Sequence, residues 1–175
     1  RVPGNFKILV DCSGSMGGDS IAQARKALQL IIDSLNPDDF FSITTFGNSH
    51  QSLFHGQVPA MGEYLDIARR FIQRLDANMG GTEIAPALNA TYRIPNPDGR
   101  NGDVLLITDG EVYNSENTIH EAVDSGHRIF TVGVGSAVSE AFVRELAERT
   151  GGVCELVSPS EDMAKSIYRH FRRIC

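Results

Sequence analysis

Short apolar runs that alternate with helical periodicities constrain this chain more than any other feature of it. Residues 6–10, 104–108, 128–134 and 153–157 are of strand length and dominated by apolar side chains on both alternating faces. Residues 40–46 join them through aromatic and β-branched content. Between these runs, Ile21, Ala24, Leu28, Ile31, Ile32 and Leu35 recur at helical spacing, as do Leu65, Ala68, Phe71, Ile72 and Leu75. Shorter helices are predicted over 84–91, 115–125, 139–149 and 159–172. The last opens on Ser158-Pro159-Ser160-Glu161, a capping box with proline at the first helical position, and Met163, Ile167 and Phe171 share one side of it. Residues 51–58 read as one short edge strand that returns antiparallel after the turn Gly47-Asn48-Ser49. Strands apolar on both faces belong to a parallel sheet covered on both sides. The expected fold is therefore α/β: a doubly wound, mostly parallel, Rossmann-like sheet of about six strands with one short antiparallel edge strand.

Composition narrows the function. At 175 residues the chain can bury a core without disulfides or structural metals, and it reads as one domain over 1–175, cut from a longer protein because no initiator Met opens it. The 22 Asp+Glu outnumber the 16 Lys+Arg, giving a net charge of −6. Affinity for phosphates needs basic residues, so neither a nucleic-acid partner nor direct membrane contact is expected. Arg169, Arg172 and Arg173, late in the last helix, complement its dipole instead. Cys12, Cys154 and Cys175 lack a zinc-binding rhythm and read as free thiols, with Cys12 turned into the core and a Cys154–Cys175 bond left open.

In a sheet of this kind ligands bind at the carboxyl ends of the strands. The first strand leads into Asp11-Cys12-Ser13-Gly14-Ser15, a glycine-rich break carries Gly80-Gly81-Thr82-Glu83, and the central strand leads into Thr108-Asp109-Gly110-Glu111. The hydroxyls of Ser13, Ser15 and Thr82 and the carboxylates of Asp11 and Asp109 can make a small all-oxygen shell. Such a shell suits a hard divalent cation, with Mg2+ expected and Mn2+ or Ca2+ compatible. Glu83 and Glu111 either tune its rim or are solvated charges at helix starts.

The order Asp11-x-Ser13-x-Ser15, then Thr82 after two glycines, then Asp109-Gly110, resembles the metal-ion-dependent adhesion site of von Willebrand factor type A domains. The resemblance covers essentially the whole chain. Residues 35–41, 80–88 and 130–135 are similar to the branch of inter-alpha-trypsin inhibitor heavy chains and its bacterial relatives. It implies that Ser13, Ser15 and Thr82 hold the ion directly while Asp11 and Asp109 act mostly through water. It also implies that the undercompensated ion takes an Asp or Glu carboxylate from a protein partner, in a non-enzymatic adhesion or scaffold module expected to be monomeric in isolation. Loss of Asp11 or Asp109 should then abolish metal affinity with modest effect on folding.

The rival readings are weaker. Ser15, Asp109 and His127 follow the order of a hydrolase triad, but Ser13 breaks the nucleophile-elbow pattern and His127 precedes a strand, at the other edge of the sheet. Asp11 lacks the second Asp that a phosphoryl-transfer site would use, no phosphate-binding GxxxxGK[ST] loop is present, and Val138 stands where a dinucleotide motif needs glycine. The five histidines have no metal-binding spacing. A last alternative is a scaffold whose metal site is structural or vacant, with the partner docking elsewhere, such as the face carrying Arg69.

Overall fold

A computed structural model describes residues 3–99, 102–112, 115–135 and 138–157. The predicted last helix with its capping box, Cys175 and the arginine cluster at 169–173 lie outside the described residues. Within them the chain runs β1 (Asn5–Asp11), α1 (Asp19–Ser34), β2 (Phe40–Phe46), β3 (His50–Ser52), β4 (Val58–Pro59), α2 (Gly62–Gln73), α3 (Ile84–Tyr92), β5 (Asp103–Thr108), α4 (Ser115–Ser125), β6 (Arg128–Gly133), α5 (Glu140–Thr150) and β7 (Cys154–Leu156). Among the described residues no helix is long and apolar enough to cross a membrane.

One sheet of seven strands runs in the order β3-β2-β1-β5-β6-β7, with β4 also pairing on β2. β2, β1, β5, β6 and β7 are mutually parallel, and Val10 lies opposite Ile107 near the carboxyl end. Alternate residues of the central strands feed two cores, which explains why these strands read as unbroken apolar runs. Ile8 and Val10 of β1, with Leu105 and Ile107 of β5, pack under Ile21, Ala24, Leu28 and Ile32 of α1 and Ala68 and Ile72 of α2. Leu9, Val104 and Leu106 face the other way, onto Ala87 and Leu88 of α3, Ile119 of α4 and Val143 and Leu146 of α5.

The single edge strand expected over 51–58 is instead two short pieces, β3 and β4, both antiparallel to β2. The interruption has a packing cause. Leu53 and Phe54 are adjacent, so a regular strand would send them to opposite faces, yet both pack on the same core and Phe54 meets Phe41 edge-on at 5.7 Å. The chain must leave the sheet plane to place both, and re-enters it at Val58.

Candidate functional site

β1 and β5 are neighbours, but the chain leaves them in opposite senses: β1 leads to β2 on one side, β5 to β6 and β7 on the other. Their following loops diverge, and the crevice of a doubly wound sheet opens at this reversal. Asp11 closes β1 and Asp109 follows β5, so strand order alone delivers two carboxylates to the crevice.

Asp11 is fully buried, Ser13 is buried, and Ser15 is exposed on the single turn of 3-10 helix, Gly14–Met16, that follows. Asp11 Oδ1 accepts from the Ser13 backbone N–H at 2.9 Å and from the Ser13 hydroxyl at 2.6 Å. The Ser15 hydroxyl donates to Asp109 Oδ2 at 2.7 Å, and Ser13 Oγ lies 3.2 Å from Ser15 Oγ. Each serine has one proton to give. With Ser13's directed to Asp11 and Ser15's to Asp109, the Ser13–Ser15 contact is left with lone pairs on both sides. Adjacent ligands of an octahedral Mg2+, each at about 2.1 Å, stand about 3.0 Å apart, close to the 3.2 Å seen here. Hard oxygens at that spacing with no shared proton fit a divalent cation, and among the described residues no group of three or more His, Cys, Asp or Glu offers a different kind of centre.

Thr82 reaches the crevice from the opposite bank. It is half-buried and lines, with Ser15, Gly110, Glu111, Val112 and Phe142, a cavity of about 690 Å³. Its loop is strapped down by backbone bonds: Met79 N–H to Cys12 O, Gly14 N–H to Gly80 O at 2.7 Å, and Glu83 N–H to Gly47 O. The Asn48 carboxamide oxygen accepts from Gly81 N–H at 2.7 Å. Gly80 has φ +77°, which favours glycine, and a Cβ there would displace the Asn48 amide from its place over the loop. The structure therefore gathers Asp11 with Ser13 and Asp109 with Ser15 as two hydrogen-bonded pairs whose hydroxyl oxygens meet at 3.2 Å, and Thr82 lines the same cavity as Ser15. Glu83 and Glu111 are both exposed, Glu111 lines the cavity, and Glu83 makes no side-chain cap at the start of α3.

Burial pushes the Asp11 carboxyl above its ordinary range, the charge of Asp109 adds to this, and the donors Ser13 and Thr108 oppose it. A buried carboxyl whose ionisation burial and a neighbouring acid both disfavour, next to the cavity-lining Ser15 and Thr82, is what a cation would relieve. Sequence reasoning passed over Thr108 and Asn48. Thr108 closes the apolar β5 run, and its fully buried hydroxyl donates to Asp11 Oδ2 at 2.8 Å. Asn48 reads as an ordinary turn residue, and only the approach of the glycine loop shows what its amide does.

The expected bystanders take bland places. Cys12 is in the core with its thiol pushed up to about 12 by burial foremost, and Cys154 is a half-buried free thiol. His127 sits at the amino edge of the sheet, hydrogen-bonded to Lys7, and cannot serve Ser15. His50, His55 and His120 are exposed. Arg69 is engaged with Asp33 at 3.5 Å and Asp66 at 3.7 Å.

Residues 5–156 match the family model described as the von Willebrand factor type A domain. A von Willebrand factor A domain-containing protein of Dictyostelium discoideum is 34% identical over 166 residues, 94% of this chain and 18% of that protein. Human inter-alpha-trypsin inhibitor heavy chain H4 is 30% identical over 188 residues, covering 99% of this chain and 20% of its own length. The chain thus spans about a fifth of the length of these curated relatives. Among solved structures, a von Willebrand factor type A protein from Catenulispora acidiphila superposes with a TM-score of 0.80 at 22% identity, over 98% of this chain and 42% of that one.

Proposed function

The chain belongs to the von Willebrand factor type A domain family, and from that premise we propose that it is a Mg2+-dependent, non-enzymatic protein-binding module that takes a partner's Asp or Glu carboxylate in the crevice between β1 and β5. The hydroxyls of Ser13, Ser15 and Thr82 would hold the ion, with Asp11 and Asp109 behind them; Mn2+ and Ca2+ suit the same oxygens. When bound, the ion supplies a Lewis-acidic position that an external carboxylate can fill. Ser13 and Ser15 donate hydrogen bonds back to Asp11 and Asp109, and so turn lone pairs to the crevice without spending the carboxylates as ligands. The observation that carries this reading is the proton-free Ser13–Ser15 contact between two buried acids. Within the family, the resemblance of residues 35–41, 80–88 and 130–135 supports a proposed kinship with the branch of inter-alpha-trypsin inhibitor heavy chains and its bacterial relatives.

Thermal melting with chelator and with Mg2+ tests the reading. At ten times its Kd, Mg2+ should add about 1.4 kcal/mol, a rise of about 3–5 °C for a domain of this size. Acetate, as a carboxylate probe, should add a further rise only when Mg2+ is present. No Mg2+ shift at millimolar concentrations would instead favour a scaffold with a vacant site. Hydrolysis of ester or phosphate substrates that disappears in Ser15→Ala would revive an enzymatic reading.

A further inference from the structure

We propose that Thr108 is a positioning residue for this site, the single hydroxyl that locks the β1 carboxylate to the β5 turn. The proposal rests on the metal-binding reading above. Thr108 is fully buried at the end of β5, and its hydroxyl works in two directions. It donates to Asp11 Oδ2 at 2.8 Å and accepts from Gly110 N–H at 3.0 Å. The first bond occupies the Asp11 oxygen that Ser13 leaves free, so both oxygens of Asp11 are engaged by protein donors. Asp11 is thereby held as an acceptor behind Ser13 and is not free to swing into the crevice. The second bond fixes the turn after Asp109. Gly110 there has φ +83°, and a Cβ would run into the Ser139 carbonyl, while Asp109 O accepts from Ser139 N–H at 2.9 Å. Asp109 can therefore present Oδ2 to Ser15 only while this turn keeps its shape.

A valine fills the same volume but can neither donate nor accept. In Thr108→Val, Asp11 Oδ2 and the Gly110 amide lose their shared partner and the two halves of the site uncouple. Asp11 orients the ligand Ser13, and loss of such an orienting partner weakens metal binding by about 10- to 100-fold, so releasing Asp11 from Thr108 should reach the lower end of that range.

The test is isothermal titration of the folded proteins with Mg2+ at 25 °C. T108V should bind Mg2+ at least tenfold more weakly, and Thr108→Ser, which keeps the hydroxyl, should restore affinity to within about threefold of the parent. Thr131→Val is the matched control: Thr131 is also fully buried and donates to Val143 O at 3.0 Å, away from the crevice. It should lose stability without losing Mg2+ affinity. If T108V does not fold, Thr108→Cys carries the same comparison, because a thiol occupies the space but donates poorly. Unchanged Mg2+ affinity in the Thr108 variants, or an equal loss in T131V, would overturn the positioning role while leaving the metal site intact. Absence of Mg2+ binding in the parent protein would instead overturn the underlying reading, and this inference with it.

Discussion

The two edges of the sheet solve opposite versions of one electrostatic problem. At the carboxyl edge Asp11 and Asp109 are like charges brought together by β1 and β5; at the amino edge Lys7, on β1 as well, meets His127, which leads into β6. Lys7 is 1% exposed and its ammonium donates to Tyr92 O at 3.2 Å and to His127 Nε2 at 3.1 Å. The Lys7 bond requires a neutral His127 with its proton on Nδ1, which faces Ser125 O at 3.3 Å. The amino edge therefore resolves its conflict internally, by leaving one partner uncharged under the packed ring of Tyr92. The carboxyl edge leaves its conflict facing a cavity lined by Ser15, Thr82 and glycines. A like-charge pair sealed in the interior is structural; the same kind of pair beside an opening calls for a counter-ion.

Removing the acids should produce the largest effect. Asp109→Ala and Asp11→Ala should each abolish the Mg2+ response in thermal melts, but their costs to the fold should differ. The sequence suggested a surface crevice and a modest cost for both. Asp11 is instead wholly buried and holds three donors, so its loss orphans Ser13 N–H, Ser13 Oγ–H and Thr108 Oγ1–H and should cost about 2–4 kcal/mol in urea unfolding. Asp109, 6% exposed, accepts from the Ser15 hydroxyl and the Glu111 N–H, and both of those residues are exposed and can turn to water, so its removal should cost about 1 kcal/mol or less. Equal costs would erase the distinction between an acid that frames the site and one that faces it.

The amino edge should respond to pH rather than to metal. Burial, and then the charge of Lys7, hold His127 below its ordinary 6.5. The unfolded chain consequently binds a proton that the folded one resists, so this contribution is complete above pH 6.5 and is lost as pH falls below it. Urea unfolding between pH 7.5 and 5 should show a slope from this group approaching about 1.4 kcal/mol per pH unit, absent in His127→Asn. On the alkaline side Lys7, pushed down to about 8 by burial against an ordinary 10.5, works with the same sign. Between those values the unfolded state holds the extra proton, and stability contributed by this group rises with pH. Cys12 and Tyr92, both raised by burial, pull the other way above pH 9. The readout is therefore the difference between the parent and Lys7→Met, which should widen in the parent's favour from pH 8 to 10.5. A flat difference would mean that Lys7 is hydrated and the amino edge is not sealed.

How far each edge could be read from sequence follows from the same contrast. The strands were readable because burial on both faces leaves unbroken apolar runs, and the site loops because oxygen donors and glycines cluster where those runs stop. Asp11, Ser13, Ser15, Thr82 and Asp109 all lie in or at the edge of such loops. Lys7 sits inside such a run, and nothing local separates a buried lysine from one that reaches solvent; its partners Tyr92 and His127 are distant in sequence. Thr108 was hidden by its strand propensity, since a β-branched end to a strand needs no second explanation. The broken edge strand over 50–59 depended on Phe54 finding Phe41, a contact that periodicity does not encode.

The smallest expected effect concerns Glu111, and it sharpens what the open edge owes to local geometry. Its backbone N–H donates to Asp109 Oδ1 at 3.1 Å, while its carboxylate is exposed at the cavity rim. An exposed charge at that position acts on the site only through water and salt. Glu111→Gln keeps the backbone bond and removes only the charge, so Mg2+ affinity should fall by less than about threefold at low ionic strength. At 0.5 M salt the difference should vanish, because the Debye length then falls to about 4 Å. A loss above tenfold that survives high salt would place the Glu111 carboxylate on the ion itself, adding a third acid to the shell. The neutral hydroxyls would then no longer leave the cation in need of a carboxylate from a partner.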